Sequence, residues 1–130
     1  MPYKKLIEKA YKAKEMAYVP YSKFQVGAAV LTDSGKIFTG CNIENASYGA
    51  TNCAERTAIF KAISEGERNF KAIAIVSSSG DFTYPCGICR QVIVEFMKDG
   101  EIILANEKGE YKVYTVQEIL PFAFTEKDIK

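Results

Sequence analysis

Ile102-Ile103-Leu104-Ala105-Asn106-Glu107-Lys108-Gly109-Glu110-Tyr111-Lys112-Val113-Tyr114-Thr115 is the stretch that decides how the sheet of this protein ends. Two strand-like runs, Ile102 to Ala105 and Tyr111 to Thr115, flank little more than Asn106 to Gly109. A parallel crossover needs a dozen residues or more, so this link makes an antiparallel hairpin. Immediately upstream, Pro85 opens a helix expected from Cys86 to Lys98 and ended by Gly100. Before it, Phe70 to Val76 is almost continuously apolar, as a strand covered on both faces should be. The helix preceding that strand is expected from Cys53 to Glu65, with Ala58, Ile59, Ala62 and Ile63 facing inward and Gly66 as its stop. Further back, strands Phe24 to Leu31 and Ile37 to Cys41 are joined by the hairpin turn Asp33-Ser34-Gly35. A surface helix running from Pro2 toward Ala17 comes first, with Leu6, Ile7, Ala10, Tyr11 and Ala13 at helical spacing. Downstream of the hairpin, Val116 to Lys130 holds a short helix, Pro121 and the aromatic pair Phe122 and Phe124.

Composition narrows the function classes. The chain of 130 residues, 48% hydrophobic, is expected to form a single domain over residues 1–130. A chain of that size buries roughly two thirds of its unfolded surface. Lys and Arg number 17 against 16 Asp and Glu, a net charge of +1. A protein that grips a nucleic-acid backbone usually carries a basic stripe, so a polynucleotide partner is disfavoured. Charges at positions 4, 5, 8, 9, 12, 14 and 15 leave no apolar run for a signal peptide or a membrane span, and a cytoplasmic protein is expected. In that reduced setting the 4 cysteines read as metal ligands or buried thiols rather than disulfides. Histidine is absent, which removes every Cys-His and Ser-His mechanism and leaves Glu, Asp, Lys and metal-bound water to handle protons.

The chemistry concentrates in Cys53-Ala54-Glu55-Arg56 and Pro85-Cys86-Gly87-Ile88-Cys89-Arg90. Each stands where a turn gives way to a helix, so two helix N-termini present three thiols and one carboxylate. A Cys-x-x-Cys pair at a helix start aims both sulfurs at one ion, and a third thiolate leaves a tetrahedral Zn²⁺ with one open position. A lone Cys-x-x-Cys also suits redox work. A closed four-thiolate site using Cys41 is a further alternative, but Cys41 ends a strand with no other ligand beside it and reads as a buried free thiol. Glu55 alone could be an ordinary first-turn acid favoured by the helix macrodipole. Three thiolates on Zn²⁺ leave a formal charge of −1, which Arg56, three residues from Cys53 on the same helix face, is placed to offset by donating to the sulfurs. Arg90 is a second candidate for that task, and either arginine could instead be a solvated surface group.

These stretches resemble the cytidine deaminase family, whose motif is Cys or His, any residue, Glu, and further on Pro-Cys-x-x-Cys. Among zinc deaminases the antiparallel last strand resembles the cytidine-type branch; in tRNA-adenosine and guanine deaminases a helix intervenes and that strand runs parallel. The fold expected is a three-layer α/β/α arrangement with a five-stranded mixed sheet in the order 2-1-3-4-5. The resemblance implies zinc-dependent hydrolytic deamination of cytidine and 2'-deoxycytidine in pyrimidine salvage, with one Zn²⁺ per subunit on Cys53, Cys86 and Cys89. It makes Glu55 the group that takes a proton from the water, delivers it to ring N3 and later protonates the departing amine. Asn42-Ile43-Glu44-Asn45 resembles the ribose-binding segment, in which the first Asn and the Glu hold the 3'-hydroxyl. A carboxylate there favours nucleosides over phosphorylated forms. Phe24 matches the aromatic packed on the pyrimidine, with plain core as its other reading. Phe124 matches the tail aromatic that enters a neighbour's site in the small homotetrameric members. The resemblance covers about Leu6 to Phe124; Ile88, where the family commonly has Ala, is a departure that removes no ligand. A related deaminase of a blasticidin-type compound is the nearest alternative, and a non-catalytic zinc-stabilised binding module is the alternative of another class.

Overall fold

The computed structural model describes residues 3–129. Helix α1 (Lys4–Lys14) precedes the hairpin β1 (Val26–Thr32) and β2 (Ile37–Cys41). A short 3-10 turn (Tyr48–Ala50) leads to α2 (Ala54–Ser64), followed by β3 (Phe70–Ser77), α3 (Gly87–Phe96), β4 (Glu101–Ala105), β5 (Tyr111–Thr115) and α4 (Val116–Ile119). The five strands form one sheet in the order β2-β1-β3-β4-β5. Only β3 and β4 run parallel; β1 is antiparallel to both its neighbours, and β4 and β5 form the expected antiparallel hairpin. The sequence expectation of a mixed sheet in this order therefore holds. No helix among the described residues is long and apolar enough to cross a membrane.

Alternation along the strands builds the three layers. Ala28 and Val30 of β1, Ile73 and Ile75 of β3, and Ile102 and Leu104 of β4 pack with Ala58, Ile59 and Ala62 of α2 and with Ile93 of α3. On the opposite face Ala29, Ala72, Ala74, Val76 and Ile103 meet Leu6 and Ala10 of α1. Small side chains dominate that second face, which lets α1 lie close to the sheet. A Cβ on Gly27 would sit 2.1 Å from Ala10 O, so the helix backbone crosses directly over a residue that must lack a side chain.

The element boundaries differ from the sequence reading in ways that matter for the site. The first helix ends at Lys14 rather than reaching Ala17, and Pro2 lies outside the described residues. Strand β1 begins at Val26, not Phe24. The reason is local: Lys23 has a left-handed φ of 62°, and the Phe24 N–H and C=O bond to the Ser22 hydroxyl and the Asn42 amide instead of a neighbouring strand. Helix α3 stops at Phe96, because Met97 leaves helical dihedrals and a turn closes through Gly100 N–H donating to Met97 O at 3.1 Å. Cys53 and Cys86 are N-caps with extended ψ values of 156° and 170°, not first helical residues. Neither uses its sulfur to cap the helix, so both sulfurs are available elsewhere.

Helix α2 is seated on β2 across Gly40, where an added Cβ would lie 2.5 Å from Ala58 N and 2.6 Å from Ala54 O. Both are backbone atoms of α2, so relief requires moving the helix. Overpacking of this kind costs about 1–3 kcal/mol. Gly40→Ala should lower the urea midpoint accordingly, whereas Gly49→Ala, with nothing within 4 Å of the new Cβ, should leave it unchanged. Equal midpoints for the two variants would show that α2 does not need this close approach.

Candidate metal centre and substrate cleft

Gly27 of β1 pairs with Cys41 of β2 on one side and Val76 of β3 on the other. The carboxyl ends of β2 and β3 therefore leave the sheet at the same edge, where ligands of open α/β sheets bind. The chain returns there to begin α2 and α3, which sets the N-caps Cys53 and Cys86 side by side. Cys89, two residues into α3 and fully buried, faces the same point. The three sulfurs lie within 4.8 Å of one another, and Cys53 Sγ and Cys86 Sγ are 3.7 Å apart. Thiolates bound to Zn²⁺ at ~2.3 Å with tetrahedral angles would be separated by about 3.8 Å, so the spacing fits a shared zinc ion.

The electrostatics point the same way. Hydrogen bonding with Cys89, and with Arg56 and Cys86, holds the Cys53 thiol down at about 5 against its burial. Cys89 is pushed far up, first by that same bond to Cys53 and then by burial and the surrounding negative groups. One thiolate thus opposes ionisation of its neighbour, as expected of like charges crowded together. Arg56 Nη2 donates to Cys53 Sγ at 3.4 Å, the role anticipated for it, while its buried Nε has no partner. The first turn of α2 is braced by Thr57, whose hydroxyl donates to Cys53 O at 3.1 Å and accepts from Asn52 Nδ2 at 3.0 Å.

Glu55 occupies the first turn of α2 and is only 4% exposed, an unusual depth for a carboxylate with no cationic side chain bonded to it. Burial pushes its carboxyl up to about 7, and the neighbouring Cys53 charge adds to the effect. A buried carboxyl beside three convergent sulfurs at two helix N-termini distinguishes this centre from a closed structural zinc site.

Residues 2–105 match the family described as the cytidine and deoxycytidylate deaminase zinc-binding region. The chain belongs to the cytidine and deoxycytidylate deaminase family. The matched region contains all three cysteines and Glu55, and the cluster accommodates one Zn²⁺ per subunit. A cytidine deaminase of Sporosarcina psychrophila is 53% identical over 99% of this chain and 96% of its own. The solved structure of a cytidine deaminase from Burkholderia pseudomallei superposes with a TM-score of 0.91 at 50% identity, covering 95% of this chain and 100% of that one. A blasticidin-S deaminase of Bacillus cereus is more distant, 32% identical over 92% of this chain and 90% of its own.

The family's fold brings together most of the remaining candidates. Glu44 lines an open cavity of about 400 Å³ with Tyr21, Ser22, Tyr48 and Thr51. Its Oε1 accepts from the Tyr21 N–H at 3.0 Å and the Ser22 N–H at 3.1 Å, and its Oε2 accepts from the Ser22 hydroxyl. Asn42 is nearly buried, and both ends of its amide are engaged with backbone: Oδ1 accepts from Val26 N–H at 2.9 Å and Nδ2 donates to Phe24 O at 2.8 Å. Phe24 is 38% exposed, so its reading as plain core is set aside. Phe124 does not join this group; it lines a separate hollow with Phe60, Val92, Phe96 and Ile129 on the outer side of α2 and α3.

Three residues differ from the sequence reading or escaped it. Arg90 does not approach the sulfurs; its Nε and Nη1 donate to Pro85 O and Ile119 O, both at 2.7 Å, tying the loop before Cys86 to the end of α4. Cys41 is half-buried rather than buried and stands outside the sulfur cluster, its thiol pushed up by burial. Ser22 was not anticipated, because a contact spanning 22 residues leaves no mark in local spacing. Metal analysis should accordingly give one zinc per chain for the native protein and for Cys41→Ser, with loss on Cys53→Ser or Cys89→Ser. Loss of zinc from Cys41→Ser would restore the four-thiolate reading.

Proposed function

We propose that this chain hydrolyses cytidine, and 2'-deoxycytidine, to the corresponding uridine and ammonia. The observation that carries the reading is the buried Glu55 set beside the three sulfurs. Cys53, Cys86 and Cys89 would hold the Zn²⁺, which when bound would supply a water acidic enough to attack near neutral pH. Glu55, two residues after the N-cap Cys53 and buried, is the group we assign to receive that water's proton. It passes the proton to ring N3 as the C4 carbon takes up oxygen. It then carries the second proton to the amine, so that the C4–N bond breaks with ammonia, not amide, as the leaving group. Arg56 donates to Cys53 Sγ, which orients that sulfur and, after the bond to Cys89, helps hold it as a thiolate.

At the other end of the cleft Glu44 accepts a sugar hydroxyl, and the second amide hydrogen of Asn42 is offered to the same group. Phe24, exposed two residues before β1, packs on the pyrimidine. A carboxylate at the sugar selects against phosphate, and the net charge of +1 gives no footprint for nucleic acid. Four free cysteines suit a reducing cytoplasm. We place the chain in a homotetramer with shared sites, because Phe60, Ile88, Phe122, Phe124 and Ile129 are exposed on the side of α2, α3 and the tail.

Two measurements check these assignments. Glu55→Gln should keep its zinc and lose turnover of cytidine by about 10³-fold or more, since one positioned proton carrier is worth ~10²–10⁴. Retention of a tenth of native activity would remove Glu55 from the mechanism. Light scattering should return about four times 14.5 kDa for the native protein. Phe124→Ala should raise the KM for cytidine with zinc unchanged, and a fully active monomer would exclude shared sites.

A further inference from the structure

We propose that Ser22 is a positioning residue that locks the Glu44 carboxylate and the Phe24 backbone into one unit, so that sugar and base recognition are set by a single hydroxyl. The proposal rests on the reading of Glu44 as the acceptor of a sugar hydroxyl. Ser22 Oγ donates to Glu44 Oε2 while accepting the Phe24 N–H at 3.0 Å. The chain of bonds therefore runs from Phe24 through Ser22 to Glu44 in a fixed direction. A carboxylate offers about four acceptor sites, and three are taken here by the N–H groups of Tyr21 and Ser22 and by the Ser22 hydroxyl. The one left belongs to Oε2, and Glu44 and Ser22 share a wall of the same cavity. A neutral donor such as a sugar hydroxyl satisfies it.

The backbone is shaped to make this possible. Lys23 takes a left-handed φ of 62°, which turns the chain back so that the hydroxyl of residue 22 reaches the N–H of residue 24. Such a conformation costs a non-glycine residue energy and persists where its surroundings hold it. The bonds to Glu44 supply the hold. The Ser22 hydroxyl is also the leading reason that the Glu44 carboxyl lies below its ordinary value, since it donates to the charged form. Without the hydroxyl, Glu44 would retain two N–H partners on one oxygen and be free to rotate the other away from the substrate.

The test compares Ser22→Thr with Ser22→Val, which differ in shape by almost nothing and in the hydroxyl entirely. With cytidine as substrate, Ser22→Val should raise KM roughly tenfold or more, as loss of a hydrogen bond to a charged group predicts. Its kcat should stay within about twofold, and Ser22→Thr should return KM toward the native value. Zinc per chain should be native in both. In a Glu44→Gln background, Ser22→Val should raise KM by a clearly smaller factor than in the native protein, because the part of its effect carried by Glu44 is already lost. Equal KM values for Thr and Val, or additive effects in the double variant, would overturn the positioning role while Glu44→Gln alone still raised KM. A Glu44→Gln variant with native KM would remove the sugar grip itself. Failure of the native protein to release ammonia from cytidine would remove the functional reading and this proposal together.

Discussion

The row of the sheet in which Gly27 pairs with both Cys41 and Val76 fixes where chemistry can happen in this protein. Because β1 is antiparallel to both neighbours, β2 and β3 deliver their carboxyl ends to one edge, and the helices that follow them begin there. Had β2 paired in parallel with β1, the loops leading to α2 and α3 would start from opposite ends of the sheet. Glycine at positions 27 and 40 lets α1 and α2 press on opposite faces of this same edge. Close contact there has a mechanical consequence: α2 is seated by backbone against backbone, so Cys53 and Glu55 inherit the rigidity of the sheet rather than that of a loop.

Charge is the second constraint, and magnitudes show why an ion is needed. Two unit charges 4 Å apart interact by about 4 kcal/mol at an effective dielectric of 20, so three mutually adjacent thiolates would repel by roughly 12 kcal/mol in sum. Two helix N-termini of about half a charge each and one arginine soften that repulsion without removing it. A divalent cation at the centre converts it to attraction. The unpartnered, buried Nε of Arg56 reflects the same design, a guanidinium held for its charge as much as for its hydrogen bonds.

Sequence disclosed what local periodicity and short spacing can encode. The hairpin of β4 and β5, the strands β2 and β3 and the two helices that begin beside the cysteines all followed from apolar patterning and turn residues. Convergence of Cys53, Cys86 and Cys89 followed from the Cys-x-x-Cys pair and the motif around Glu55. What escaped were contacts between segments distant in sequence. Ser22 meets Glu44 across 22 residues and Arg90 meets Ile119 across 29. For Arg90 the sequence left two readings open, a companion to Arg56 and a solvated surface group. Only the fold shows that its guanidinium donates to the carbonyls of Pro85 and Ile119. Phe24 misled for a different reason: its apolar character continued the pattern of β1, while the left-handed Lys23 and the Ser22 hydroxyl had already taken its backbone out of the sheet.

Helix α3 serves both the metal and the surface, and that double duty bears on how the tail is used. Cys86 and Cys89 at its start face the sulfur cluster, while Arg90 bonds to Ile119 O and Gln91 Nε2 donates to Phe124 O at 2.6 Å. The capping boxes of Thr115 with Glu118 and Thr125 with Asp128 fix the backbone on either side of the aromatic pair. Phe122 is fully exposed with a left-handed φ of 56°, and Phe124 is 60% exposed. Exposed rings on a backbone held at so many points are presented rather than trailing. Association then orders few torsions beyond the rings themselves, so most of the gain from covering them is kept. A flexible tail with the same two phenylalanines would forfeit much of that gain. The hydrogen bonds from α3 to the tail therefore fix where those exposed rings stand relative to the metal-bearing helix.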